Sequence, residues 1–322
     1  MNEQANQPGT PGCSIDFGYY PVDVLIRTKA FTVDTLPDFK SSLKAVKNSP
    51  YVVSGWHYAP PQETYDLRGK VTRKPYSGRV FRLPKTHTLK LSGAFNSDDA
   101  NFVIWCLSFF MGMRLTTTQA GFLDATPIKP GVLVDFCLSH SSTLEAIGIA
   151  VNYLGKKNRH PLACMRIAAV IHALFLAQRP QNLQFERFQY LYMALDGCFS
   201  IMWEDRDRSH KIIYPKHHER VRWMCNELNM PVPFWAEGED NIASVRNDNF
   251  HEGIFFGQPL GFSVYGKEHP RPVLIQIEAL LCRFLVVLLG VDDSSYILSG
   301  LDSLEMHPLK LNYRENMHYP DS

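Results

Sequence analysis

Hydrophobic and polar positions change their rhythm near residue 140. Before that point the apolar runs are short and broken. Residues 22–26, 51–53, 79–83 and 88–91 read as strands separated by clusters of Gly, Pro, Asn and Ser. In the last two, Phe81 and Leu83, then Leu89 and Leu91, alternate with Arg82 and Lys90, the period of a half-buried strand. One helix interrupts this half. Residues 98–113 carry Phe102, Trp105, Leu107, Phe109 and Phe110 behind a candidate cap at Asp98 or Asp99.

After residue 141 the apolar spacing becomes helical. Ser142-Thr143-Leu144-Glu145 has the form of a capping box and predicts a helix over 142–154. Pro161 suits the first turn of a second helix running to about residue 178. Four more are predicted over about 183–203, 215–228, 241–254 and 272–289, the last stopped by Gly290. The expected fold is α+β: a β-rich N-terminal domain over residues 1–140, with a sensing or regulatory role, followed by an all-α helical bundle over 141–322. The length agrees, because 322 residues suit two domains of roughly 100–200 residues each.

Composition narrows the function. The chain carries 33 basic and 32 acidic side chains, a net charge of +1, which argues against coating nucleic acid by bulk electrostatics. Any nucleic-acid site is therefore expected to be small and focused. The two most apolar stretches, 162–177 and 273–291, carry Arg166 and His172, and Glu278 and Arg283, so they read as core helices rather than membrane spans. The first 17 residues have neither a basic n-region nor an apolar h-region, so no secretory signal is expected. A cytoplasmic protein with no membrane partner follows as the expectation. The seven cysteines are scattered and form no C-x-x-C pair, which suggests neither a disulfide framework nor a zinc site.

The candidate chemistry lies in the fifth predicted helix, in Arg246-Asn247-x3-His251. Other Arg and His residues at similar spacing lack its setting: Arg82 and His87 enclose Pro84, and Arg166 and His172 enclose only apolar residues. Arg246 and His251 instead sit among polar side chains. RNA cleavage by its own 2′-hydroxyl needs a group to take that proton, a group to protonate the leaving 5′-oxygen, and a cation for the crowded phosphate. Histidine serves as base or acid near neutral pH because its unperturbed pKa is about 6.5. Arginine stays charged and offers a fork that matches two phosphate oxygens. On this scheme His251 is the general acid/base, Arg246 the phosphate clamp and Asn247 a positioning donor, with no metal and no cofactor. A purely structural role also fits, with Arg246 and Asn247 capping or bridging the bundle and His251 a satisfied interior group. Asp196, on the third of these helices, suits two roles equally: orienting Arg246, or forming an ion pair elsewhere.

The Arg246-Asn247-x3-His251 run resembles the signature of HEPN domains, the higher eukaryotes and prokaryotes nucleotide-binding family, many of which are ribonucleases. The resemblance extends over roughly residues 183–291: Tyr190-x5-Asp196, then His218-Glu219-Arg220, then 246–252, then a final apolar helix. It implies a HEPN-like bundle and an endoribonuclease acting on RNA in defence against phage, released by a protein or phage-derived trigger. It also implies a homodimer. Five residues at about 100° each leave Arg246 and His251 about 140° apart on an ideal helix. Either Arg246 curls back from the helix start or a second subunit completes the site, and the resemblance favours the second. The chain departs from toxin members whose partner modifies a Tyr two residues after the His, since that position is Gly253. Its N-terminal half does not resemble the nucleotide-sensing domain of CRISPR ancillary ribonucleases.

Weaker candidates complete the reading. Lys156-Lys157-x-Arg159-His160 and the basic stretch 211–222 suit either an RNA backbone or ordinary charged helix ends. Trp56, Tyr58, Trp105 and Phe109 suit base stacking or core packing. The rival functions are a non-catalytic HEPN scaffold that binds RNA or a partner protein, and a nucleotide-binding regulator.

Overall fold

The structure is a computed structural model, and it describes residues 12–138, 142–156, 161–206, 213–237, 242–243, 273–301 and 306–313. The fold is α+β, with strands concentrated before residue 91 and helices dominating the C-terminal part. The chain divides into two compact units: residues up to 108 with 113–130 form the first, and residues 109–112 with those from 131 onward form the second.

The first unit is built on a four-stranded antiparallel sheet in the order β1-β9-β3-β2, made of β1 Cys13–Gly18, β2 Leu25–Arg27, β3 Phe31–Thr35 and β9 Lys85–Leu91. The alternation read along 88–91 identifies the inner face of the central strand. Leu89 lies between Ile15 and Val33, and Leu91 between Cys13 and Phe31; both leucines are buried while Lys90 is exposed. Such cross-strand apolar pairs are what hold a sheet in register. The expected strand at 22–26 begins only at Leu25, because the Val24 backbone is engaged by the Thr35 hydroxyl, which accepts from its N–H at 3.0 Å and donates to its carbonyl at 3.0 Å.

This half holds a second helix that the sequence reading missed, α1 Phe39–Lys47, which buries Phe39, Ser42 and Val46 at positions three and seven residues apart. Helix α2 Ser97–Phe110 is capped by the Asn96 side chain, two residues before the nearer candidate aspartate. The Asn96 carbonyl oxygen accepts from the backbone N–H of Asp98 (2.7 Å) and Asp99 (3.1 Å), and Asp99 accepts from the Asn96 N–H at 3.0 Å. That exchange satisfies the donors a helix start leaves unpaired. The remaining strands are short: β4 Val52–Val53, β5 Trp56–Tyr58, β6 Pro61–Tyr65, β7 Val71–Ser77, β8 Val80–Phe81, β10 Phe122–Leu123 and β11 Ala125–Pro127. Ser54 and Gly55, at φ 49° and 83°, close the β4–β5 hairpin with the positive dihedrals a two-residue turn of this hand requires.

The second unit is helical, with α3 Ser142–Leu154, α4 Ala163–Ala177, α5 Gln184–Asp205, α6 Arg220–Glu227, α7 Val273–Leu288 and the short α8 Ser294–Ile297. A parallel pair, β12 Phe136–Cys137 with β13 His307–Pro308, joins segments far apart in sequence. α4 starts two residues after Pro161, and the predicted helix at 215–228 opens as a 3-10 turn, His217–Glu219, before α6. Of the predicted helix 241–254, Ile242 and Ala243 are helical and buried; the rest lies outside the described residues.

α4 and α7 are apolar on nearly every side and form the interior, with Ile167, Ile171, Leu174, Ile277, Leu281 and Phe284 essentially inaccessible to solvent. Each such side chain stabilises the fold by about 1.5–3 kcal/mol through burial. α5 packs closely on α4 at Gly197, where an added Cβ would fall 2.6 Å from Val170 Cγ2. Ion pairs mark the edges of these contacts: Arg166 of α4 with Glu204 of α5, and Arg187 of α5 with Glu278 of α7 at 2.8 Å. Gly290, at φ 88°, ends α7 as expected; its N–H bonds Val287 O and the next N–H bonds Val286 O. Among the described residues no helix is long and apolar enough to cross a membrane.

Candidate functional site

The α5 sequence places Tyr192, Asp196, Phe199 and Trp203 three to four residues apart, so they share one helical face. The 3-10 turn and α6 bring His217, Arg220 and Trp223 against that face. Arg220 Nη1 donates to Asp196 Oδ1 at 2.9 Å, and its guanidinium lies 4.7 Å over the Phe199 ring and 5.6 Å over Tyr214. His217 Nδ1 is 3.3 Å from the Tyr192 hydroxyl and 3.8 Å from Asp196 Oδ1. Asp196 is therefore engaged by two α6-side cations or potential cations at once.

Around Arg220 the aromatics form a continuous cluster. Trp203 meets Tyr214 edge-on at 4.9 Å and Trp223 at 5.5 Å, and Phe199 meets Trp223 at 5.5 Å, the tilted geometries that aromatic quadrupoles favour. Arg206 lies 3.3 Å over Trp203. Beside the cluster a cavity of about 420 Å³ is lined by Tyr214, Lys216, Glu219, Arg222 and Trp223, among others. Trp223 Nε1–H is buried without a hydrogen-bond partner among the described residues, and Tyr214 is 53% exposed. Cations beside aromatic faces at an open cavity are the elements from which single-strand nucleic-acid sites are made.

Arg246, Asn247 and His251 lie outside the described residues, so the geometry that relates them to Asp196 is not on view. Of the basic stretch 156–160 only Lys156 is described. It lies 4.9 Å over the Tyr153 ring, and burial lowers its pKa against the opposing pull of Asp205. His217 and His218 sit in one short turn, and no group of His, Cys, Asp and Glu among the described residues is arranged to hold a metal ion. Trp105 carries the Arg114 guanidinium at 3.6 Å, and Phe109 is buried. Cys198, Cys225 and Cys282 are core residues; burial pushes the Cys225 thiol up to about 12 and the other two in the same direction, which keeps them protonated and unreactive.

Two groupings escaped the sequence reading. The Phe199, Trp203, Tyr214 and Trp223 cluster brings together four residues from three segments, and only the α5 pair carried a periodic signal. The other is a buried polar network around Arg283, to which Asp135, Tyr296 and Ser299 contribute. No family model, no curated protein and no solved structure matches the chain.

Proposed function

We propose that this chain is a metal-independent endoribonuclease that works as a homodimer in defence against phage, its N-terminal half holding it in check until a trigger arrives. The observation that carries the reading is the Arg246-Asn247-x3-His251 run, a polar stretch that the sequence spacing predicts to be helical, in the part of the chain whose described residues are mostly helical. The aromatic and cationic surface beside α6 supports it, because Tyr214, Trp223, Lys216 and Arg222 are suited to hold an RNA strand by stacking and charge.

In this mechanism a neutral His251 takes the proton from a 2′-hydroxyl as that oxygen attacks the adjacent phosphorus. Arg246 binds two phosphate oxygens and offsets the charge that builds there, and Asn247 donates a hydrogen bond that keeps the phosphate in line. The imidazolium so formed gives its proton to the departing 5′-oxygen, and the second subunit supplies the Arg246 that faces this His251. The products are a 2′,3′-cyclic phosphate and a free 5′-hydroxyl. The defence role, the trigger and the dimer follow from the HEPN resemblance.

The purified chain is expected to cut RNA in EDTA and to leave cyclic phosphate ends, with His251→Ala lowering the rate by about 100-fold or more. Undiminished cutting by that variant overturns the assignment. Absence of cutting with every trigger tried, with RNA or partner binding that survives Arg246→Ala, selects the scaffold instead.

A further inference from the structure

The second unit contains a cavity of about 280 Å³ beneath the loop 230–234 and α8, apart from the α5–α6 surface. Its walls are mostly apolar, with Pro231, Pro233, Phe234 and Leu298 among them, and three polar side chains, Gln276, Arg283 and Ser299, share the lining. Gln276 and Arg283 are deeply buried, at 3% and 0% exposure.

The hydrogen bonding of this pair is fixed by its neighbours. The Trp235 indole N–H can only donate, and it donates to Gln276 Oε1 at 2.9 Å. That sets the amide orientation and leaves Gln276 Nε2 as the free end, which has no partner among the described residues. Arg283 has five N–H donors, and four are used. Nη1 bonds Asp135 Oδ2 (2.6 Å) and Ala279 O (2.7 Å), and Nη2 bonds Ser299 Oγ (2.7 Å) and Gly300 O (3.2 Å). The Nε–H is buried and without a partner among the described residues. Two residues that line one cavity therefore each carry an unmet donor, and leaving a buried donor unmet costs about 1–3 kcal/mol each.

Asp135 already neutralises the Arg283 charge. What the cavity lacks is acceptor oxygen, not negative charge, and a second anion would meet the Asp135 carboxylate. We infer that this cavity is a binding site for a small neutral ligand with a flat apolar body and a carbonyl oxygen, which takes hydrogen bonds from Gln276 Nε2 and Arg283 Nε. The volume is at the small end of the roughly 300–1,000 Å³ typical of ligand pockets, which suits a single substituted ring. Leu298, 50% exposed, stands at its rim.

Three probes of similar shape separate the possibilities. Benzamide, toluene and benzoate are titrated against the 322-residue chain and followed by saturation-transfer NMR. Benzamide is expected to bind saturably and about tenfold more tightly than toluene, the difference that one to two neutral hydrogen bonds make. Benzoate is expected to bind more weakly than benzamide. Gln276→Leu should bring benzamide part of the way down to the toluene level, since Arg283 Nε remains, and Leu298→Trp, at the exposed rim, should weaken all three by filling the entrance. If Gln276→Leu does not fold, the probe ranking and the Leu298→Trp result decide alone. Equal binding of toluene and benzamide would show an apolar hole without carbonyl recognition, and tighter binding of benzoate would show an anion site. Either result overturns the inference, as does failure of all three probes to bind, which would mean that water alone meets the two donors. None of these outcomes bears on RNA cleavage.

Discussion

Arg220 is held from two sides by α5, with Asp196 Oδ1 at 2.9 Å from its Nη1 and the Phe199 ring 4.7 Å below its guanidinium. The Asp196 side chain is about one-third exposed, so the ion pair alone contributes on the order of 0.5–1 kcal/mol. Arg220→Ala also removes packing over Phe199 and is expected to cost more, about 1–2 kcal/mol. Urea denaturation of the two single variants and the double variant should give a coupling energy of about 0.5–1 kcal/mol. Zero coupling would mean that the two side chains act independently.

Arg283 presents the opposite case, since it has no solvent exposure and Asp135 is its only carboxylate partner among the described residues. Removing one member strands the other. Arg283→Met and Asp135→Leu are each expected to destabilise the chain by about 3–5 kcal/mol, while the double substitution costs far less than their sum because no unpaired charge remains. Chemical denaturation followed by circular dichroism measures this, and additive losses would refute the pairing.

The contrast between these two arginines also shows what a sequence can reveal. The change of spacing near residue 140, the alternation of Leu89 and Leu91, and the stop at Gly290 are local signals, and each appears in the structure where the pattern placed it. Helix α1 carries a short helical signal, Phe39, Leu43 and Val46 at i, i+4 and i+7, but nine residues with Lys40, Lys44 and Lys47 are easily taken for a solvated loop. Arg283 looked like a charge interrupting an apolar helix. Its meaning depends on Asp135, 148 residues away, and no local pattern encodes that distance. Asp196 was legible only as a carboxylate that orients Arg246 or forms an ion pair elsewhere, and its partner Arg220, 24 residues on, emerged from the packing of α6. The Arg246 to His251 run reads as candidate chemistry on residue types at fixed spacing alone. How its groups converge is a tertiary property.

The first unit should lose stability in mild acid. His87 on β9 has no exposure and is enclosed by Phe17, Tyr20 and Phe39 at 5.4–5.6 Å, with its Nδ1 2.9 Å from Thr86 Oγ1. Burial lowers its pKa to about 4, against the opposing effects of the Val22 backbone and the Asp23 charge. The unfolded chain titrates at about 6.5, so between pH 6.5 and 4 it binds more protons than the folded one. Stability is fully present above pH 6.5 and falls as the pH drops to about 4, by up to about 3 kcal/mol. Urea midpoints at several pH values check this. His87→Phe should flatten the profile over that window, and an unchanged slope would assign the loss to other groups.

The dimer in the proposed mechanism can be tested without knowing its shape. If Arg246 of one subunit and His251 of the other serve the same phosphate, Arg246→Ala and His251→Ala are each inactive alone. Mixed after denaturation and renaturation, half of the dimers carry one variant of each kind, and one of their two sites recovers both groups. About a quarter of wild-type cleavage should therefore return, the statistical value for a two-fold assembly. An obligate pair of His251 side chains at one shared site would give no recovery, as would a site contained within a single chain. Native mass spectrometry of the mixture, confirming that the mixed dimers form, makes a null result decisive against the proposed sharing.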